Sequence, residues 1–385
     1  MQIKVDKADL MEALTLSKGS VDRDNPTNIV YESVLFTADP GGVVVTATDG
    51  SIWSRFLVRA EVRGGTPTLI KSSQLTDIVA GLDDGELEIV HDGHRATLKS
   101  GRYRAEFGVA DAMEFPRFPK LAGGLCPVKA GLLADLIKSV EGSADTKADR
   151  PYLCGVNFRV QDGEIRAVAA DGSRMAVSEA SWVVYTAEEG SAATMTAGTR
   201  LARQWASLAG SLNDDEIIRF GAQDGWGFCV TDNATIAGVL PDQRYPDWES
   251  AERFPKPADK RRAVRFDRKK LIKSVQRVVA IGDRMKIPAT IDLELDDHGT
   301  LSMESHASSG KSARDKLAGH MIDKAFAAPV RRRIGGELLR HALNTLKTQE
   351  VVLFMTAVGV QPVGVNNTWD KPSDMRTVAW LMPRS

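Results

Sequence analysis

Apolar residues recur along this chain with two periods that alternate from segment to segment. Leu10, Met11 and Leu14 share one side of a helix over residues 7–17. Leu75, Ile78, Val79 and Leu82 share one side of a second helix, which follows Lys71-Ser72-Ser73, where a serine is the candidate N-cap. The same spacing predicts helices over 132–140 (Leu133, Leu136, Ile137, Val140), 200–208 (Leu201, Trp205, Leu208), 269–279 and 337–346. Between them the period falls to two, as in Glu86-Leu87-Glu88-Ile89-Val90 and Ile217-Ile218-Arg219-Phe220. Asp92-Gly93, Asp162-Gly163 and Asp224-Gly225 punctuate these strands as tight hairpin turns, because glycine takes the positive φ that such turns need. Hairpins make antiparallel sheet, and helices gathered on one face of it give an α+β chain.

The pattern repeats. Leu136-Ile137-Lys138-Ser139-Val140 returns 135 residues later as Leu271-Ile272-Lys273-Ser274-Val275, and the Asp49-Gly50-Ser51 turn returns 122 residues later as Asp171-Gly172-Ser173. Spacing of this size predicts three tandem domains, at 1–122, 123–254 and 255–385, each holding the strand-helix-strands unit twice. Aromatic-proline pairs (Phe115-Pro116, Phe118-Pro119 and Tyr245-Pro246) close the first two. The last third departs most: Glu304-Ser305-His306-Ala307-Ser308-Ser309-Gly310 replaces its Asp-Gly turn. Residues 361–374 carry Pro362, Asn366, Asn367 and Pro372, poor strand formers that predict an irregular outer edge.

Composition narrows the class. The 385 residues are 43% hydrophobic and 26% charged, and no apolar run approaches the roughly 18 residues that span a bilayer. Met1-Gln2-Ile3-Lys4-Val5-Asp6 reads as a first strand, not as a secretory signal. Cys126, Cys154 and Cys229 are odd in number and far apart, which suggests neither a disulfide framework nor a zinc knuckle, so a reducing cytoplasm is expected. His91-Asp92-Gly93-His94 flanks a turn with no third ligand nearby, and Asp49 and Asp171 read as turn holders. No phosphate loop, nucleophile elbow or helical His-Glu-x-x-His occurs. The expectation is a protein without catalytic residues, metal or cofactor.

Charge balance, 50 basic against 51 acidic residues, leaves the location of charge to decide. Lys270, Lys273 and Arg277 form a stripe opposite Leu271, Ile272, Val275, Val278 and Val279. Arg200, Arg203 and Ser207 stand likewise opposite Leu201, Trp205 and Leu208, as do Arg340, Asn344 and Lys347 opposite Leu339, Leu343 and Leu346. One such stripe is an ordinary solvated face. Three predict a shared surface for a polyanion, with acidic residues concentrated in strands and turns instead.

Thr48-Asp49-Gly50, Ala170-Asp171-Gly172-Ser173-Arg174-Met175-Ala176, Tyr245-Pro246-Asp247 and Leu381-Met382-Pro383, set in a threefold repeat, resemble the beta sliding clamp of bacterial DNA polymerase III. The resemblance implies a ring-forming DNA-clamp fold: a head-to-tail homodimer with helices around double-stranded DNA of any sequence. It implies a processivity factor that tethers DNA polymerase, the clamp loader and other replication and repair proteins. A clamp-like scaffold that no longer encircles DNA is the alternative. Partner peptides would enter a pocket at Leu153, Ala170, Gly172, Arg174, Met175, Pro246, Trp380, Met382 and Pro383, with Trp380 standing where the family generally has a small aliphatic residue. Arg23, Lys147, Arg150 and Arg284 (with Lys286) match family loops that touch DNA, and join Arg200, Arg203, Lys273, Arg277 and Lys347 as DNA-contact candidates.

Overall fold

The computed structural model describes residues 1–22, 28–147, 149–161, 163–181, 193–248, 261–281, 290–307, 310–324, 329–356, 363–366 and 375–382. Strand β1 (Gln2–Asp6) leads into α1 (Lys7–Ser17), then β2 (Ser33–Asp39), β3 (Gly42–Thr48) and β4 (Ile52–Val58). After a short β5 (Ala60–Arg63) the order returns as β6 (Thr68–Lys71), α2 (Ser72–Ala80), β7 (Glu86–His91), β8 (Arg95–Ser100) and β9 (Tyr103–Ala110). A third copy holds β10 (Cys126–Lys129), α3 (Ala130–Val140), β11 (Gly155–Gln161), β12 (Glu164–Ala170) and β13 (Arg174–Ser181). The fourth holds β14 (Ala193–Gly198), α4 (Thr199–Gly210), β15 (Ile217–Gln223), β16 (Trp226–Val230) and β17 (Ala234–Val239). In the last third, β18 (Arg261–Asp267), α5 (Arg268–Val279), β19 (Thr290–Leu295), β20 (Thr300–His306) and β21 (Ser312–Ala318) come first. An extra β22 (His320–Lys324) precedes β23 (Val330–Gly335), α6 (Gly336–Thr345), β24 (Glu350–Thr356), β25 (Val363–Asn366) and β26 (Met375–Leu381).

The described residues form two compact units, residues 1–134 with 200–242 and residues 135–199 with 243–385. The first unit carries one continuous ladder in the order β10-β15-β16-β17-β4-β3-β2-β6-β9-β8-β7-β1-β5. Antiparallel pairing of β17 with β4, which sets Ala237 opposite Trp53, splices its two parts. The second unit holds β14-β11-β12-β13-β26-β25-β24-β18-β22 and a separate β21-β20-β19-β23 sheet. There β13 pairs with β26, Met175 opposite Trp380.

In α1 and α5 an apolar stripe and a side-chain cap coincide. Asp6 caps α1 by accepting from the Ala8 N–H at 2.7 Å, and Asp267 caps α5 by accepting from the Lys270 N–H at 2.8 Å. Leu10, Leu133 and Leu271, each the fourth residue of its helix, are fully buried. The repeated Leu-Ile-Lys-Ser-Val string is out of this register, starting at the seventh residue of α3 but the fourth of α5. Three residues are nearly one helical turn, so both copies bury the same face and the string survives as an echo, not as an alignment.

Two further expectations change. Ser72 is the first helical residue of α2, whose cap Lys71 makes no side-chain capping bond. Asn366 is a fully buried strand residue, because β25 is locked on both sides, with Asn366 opposite Val352 and Val378. Pro362, Asn367 and Pro372 lie outside the described residues.

Asp49, Asp92 and Asp171 hold their hairpins in the same way, each Oδ1 accepting from the N–H groups two and three residues on, at 2.8–3.0 Å. Glycines follow with φ of 87°, 104° and 84°. At the β15–β16 turn both Asp224 (φ 50°) and Gly225 (φ 77°) are left-handed, whereas Asp162 of the β11–β12 turn lies outside the described residues.

Trp205 is the largest fully buried side chain of the first unit, edge-on to Phe220 with centroids 6.2 Å apart. Trp205→Ala is expected to cost about 3–5 kcal/mol, read as a shifted denaturant midpoint.

Candidate functional site

The splice of β13 to β26 builds an apolar site in the second unit. Leu153, Val168, Met175, Val177 and Tyr245 form its buried floor, and the partly exposed Tyr152, Ala170, Trp248 and Trp380 pack against it. Met175 and Trp380 meet because they are opposite in the ladder. Trp380 is braced from the other side, edge-on to Phe354 with centroids 5.1 Å apart. The Met382 N–H donates to the Ser173 carbonyl at 2.9 Å, which anchors the chain just beyond β26 beside the Asp171 turn. Arg174 Nε donates to Asp171 Oδ2 at 3.0 Å, and burial pushes the Tyr245 phenol well above its usual range. Of the residues expected here, Leu153, Ala170, Met175 and Trp380 are brought together. Gly172 and Arg174 stand at the adjoining turn, and Pro246 is exposed next to Tyr245. Pro383 lies outside the described residues.

The candidate cations are more constrained than their stripes suggested. Arg200 Nη2 donates to Asp49 Oδ2 at 2.5 Å and to the Gly19 carbonyl at 3.1 Å. Arg277 holds Asp315 on β21, donating through Nε at 3.1 Å. Burial of Asp315 alone would raise its pKa, but the Ser274 hydroxyl and Arg277 outweigh it and hold the carboxyl below the usual range. Lys347 lies past the end of α6, not on it, and reaches Asp135 at 2.5 Å. Arg150 is a brace, pairing with the nearly buried Asp145 at 2.8 Å and donating to the Asp171 carbonyl at 3.1 Å. Lys147, Arg203 and Lys273 are exposed, and Arg23, Arg284 and Lys286 lie outside the described residues. Among residues read as ordinary, His91 Nδ1 meets the Thr68 hydroxyl at 2.9 Å.

Two glycines mark where helices lie close on the turns that follow α1 and α3. A Cβ on Gly19 would fall 1.5 Å from Gln204 Nε2, and one on Gly142 would fall 2.3 Å from His341 Nε2. Gln204 is the sixth residue of α4 and His341 the sixth of α6, so a glutamine and a histidine play one part in two places. Burial lowers the His341 pKa, Arg174 and Arg340 lower it further, and Asp171 and Glu141 oppose them.

Residues 1–119 match the N-terminal domain of the DNA polymerase III beta subunit family, and residues 127–247 match its central domain. The chain belongs to the beta sliding clamps of bacterial DNA polymerase III. The beta sliding clamp of Synechococcus elongatus is 24% identical over 359 residues, covering 91% of this chain and 92% of the relative. That of Synechocystis is 26% identical over 322 residues, covering 76% and 78%. The DNA polymerase III beta subunit of Pseudomonas aeruginosa shares the fold over all of both chains, with a TM-score of 0.86 at 20% identity. The α+β clamp architecture expected from the hairpins and helices is thus the architecture found, and the chain is a DNA sliding clamp, a processivity factor of DNA replication.

In this clamp the aromatic share of the apolar site was legible only in part. Tyr245 was visible as the end of a repeat, but Tyr152, Trp248, Val168 and Val177 gave no signal of converging on Met175. The carboxylates opposite the cations were equally silent, because Asp49 is 151 residues from Arg200, and Asp135 is 212 from Lys347.

His341 makes clamp stability depend on pH. Its folded-state pKa lies below the ordinary 6.5, so the unfolded chain takes up the proton first and stability is lost as pH falls below that value. His341→Gln, the residue type already used at Gln204, is expected to flatten the fall in melting temperature between about pH 7 and about pH 5. Melting curves across that range check it.

Proposed function

We propose that this clamp works in the cytoplasm as a non-catalytic homodimeric ring closed around duplex DNA, each chain contributing three clamp domains. The observation that carries this reading is a pair of open strand edges. Within the chain, the last strand of an odd-numbered copy is spliced to the last strand of an even-numbered one, β4 to β17 and β13 to β26. The same rule leaves β21 of the fifth copy and β9 of the second. Among the described residues β21 pairs only with β20, and β9 pairs along Tyr103–Gly108 only with β8, its last two residues alone reaching β6. Two chains that join β21 to β9 twice satisfy all four edges, a closed symmetric arrangement.

Cationic side chains support a ring that meets phosphates and not base edges, since backbone contacts carry no sequence information and can be exchanged along the helix. Arg200, Arg203, Lys273, Arg277 and Lys347 are the contacts we assign. Arg23, Lys147, Arg150 and Arg284 stay assigned on family likeness. The apolar site at Met175 and Trp380 then receives a short peptide from DNA polymerase, the clamp loader or another replication or repair protein. Met175 and Met382 give it adaptable, polarizable walls.

Ring closure is tested by threading the clamp onto linear duplex DNA, blocking both ends and washing with high salt. Retention that disappears when the DNA is cut is the expected result, and Lys316→Pro on β21, which removes an N–H that here donates to Asp315 Oδ1 at 2.9 Å and interrupts the regular strand, is expected to sediment as a monomer without retention. Equal loss of the wild-type clamp from blocked and open DNA would sink the ring. For the apolar site, Met175→Ala with deletion of residues 382–385 is expected to weaken a polymerase-derived clamp-binding peptide by at least about tenfold, roughly 1.4 kcal/mol, with the dimer intact. Calorimetric titration beside sedimentation reads both.

A further inference from the structure

Three of the cations assigned to DNA share an arrangement that a simple basic lining does not need. Arg200, Arg277 and Lys347 are 61%, 64% and 66% exposed, while the carboxylates they hold, Asp49, Asp315 and Asp135, are 7%, 22% and 39% exposed. In each pair the cation lies outermost over a recessed anion. The anions come from unrelated places: a hairpin turn, an edge strand and a helix. Asp49 is spent on its turn through Oδ1, yet Oδ2 is turned to Arg200. Asp315 gathers Ser274 as well as Arg277.

We propose that Asp49, Asp135 and Asp315 attenuate DNA binding by keeping the outward cations partly neutralised, so that the clamp holds phosphates weakly and releases them quickly. The inference rests on these cations facing DNA, as proposed above. A free lysine or arginine that meets a phosphate displaces about 0.9 of a condensed counterion, the origin of the steep salt dependence of DNA binding. A cation already seated on a carboxylate gains less, because the approaching phosphate must compete with that carboxylate and is repelled by it. Loss of one phosphate and capture of the next then differ little in energy, which suits a protein that must travel along DNA. The Lys347–Asp135 pair, exposed on both sides, adds little to folding, so fold maintenance is a weak reason for it.

Asp135→Asn is the cleanest probe, since Asp135 is a partly exposed residue of α3 whose carboxylate holds Lys347. The full-length clamp is titrated against a short linear duplex over a range of salt, with Lys347→Ala, the double variant and Asp232→Asn alongside. Asp232 is exposed in the β16–β17 turn and controls for the loss of one negative charge. Asp135→Asn is expected to bind about five- to tenfold more tightly near 0.1 M salt, with a salt slope steeper by about 0.9 for each lysine released. The double variant should fall back to the level of Lys347→Ala, and Asp232→Asn should stay within about twofold of the wild type. Unchanged or weaker binding by Asp135→Asn, beside a weakened Lys347→Ala, overturns the attenuation but leaves Lys347 on the DNA-facing surface. A Lys347→Ala variant that binds like the wild type overturns both. Sedimentation and melting curves confirm that each variant is the same folded assembly.

Discussion

A strand at the edge of a sheet exposes one row of N–H and C=O groups, and the need to pair that row governs how this clamp is assembled. Six copies of one strand-helix-strands unit each end in such a strand. Two of the rows are matched by splicing β4 to β17, and two by splicing β13 to β26. The proposed ring follows because the last two rows, on β9 and β21, belong to copies that have no partner left in the same chain. The apolar site has the same origin: without the β13–β26 ladder, Met175 and Trp380 would have no reason to meet.

Local chemistry was legible wherever neighbours in sequence decide it. The Asp49, Asp92 and Asp171 turns and the one-sided burial of α1 and α5 all depend on residues a few positions apart. Reading failed where two explanations share a period. A five-residue identity three residues out of register is invisible on a helix, since 3.6 residues return the chain to the same face. Asn366 failed differently: a residue with poor strand propensity is held in β25 because ladders on both sides fix its backbone. Tertiary pairing overrode propensity there.

Charge was the least legible property, because a stripe of cations in sequence does not reveal what they face. Arg150 shows what sequence conceals: its guanidinium holds Asp145 and the Asp171 carbonyl, and a Cβ on Gly172 would come 2.7 Å from its Nη1. Lys273, from a similar-looking stripe, is exposed.

The two splices cover their apolar surface differently. On β4 and β17 the facing pair is Trp53 and Ala237, and on β13 and β26 it is Met175 and Trp380, so the tryptophan has changed strands. In the first unit Trp53 is 7% exposed, edge-on to Trp226 at 4.9 Å, and Phe118 packs over the cluster beneath the Arg55 guanidinium, 4.3 Å from its ring centre. The chain's own aromatic-proline segment thus covers that splice. In the second unit the corresponding segment places Tyr245 in the floor and leaves Pro246 exposed, while Trp380 leans on Phe354 and keeps part of its ring uncovered. A sheet junction buries apolar surface in either case. How much of it stays uncovered depends on what the chain lays over it: Phe118 over the first splice and, in the proposed peptide site, Tyr152 and Trp248 beside Trp380.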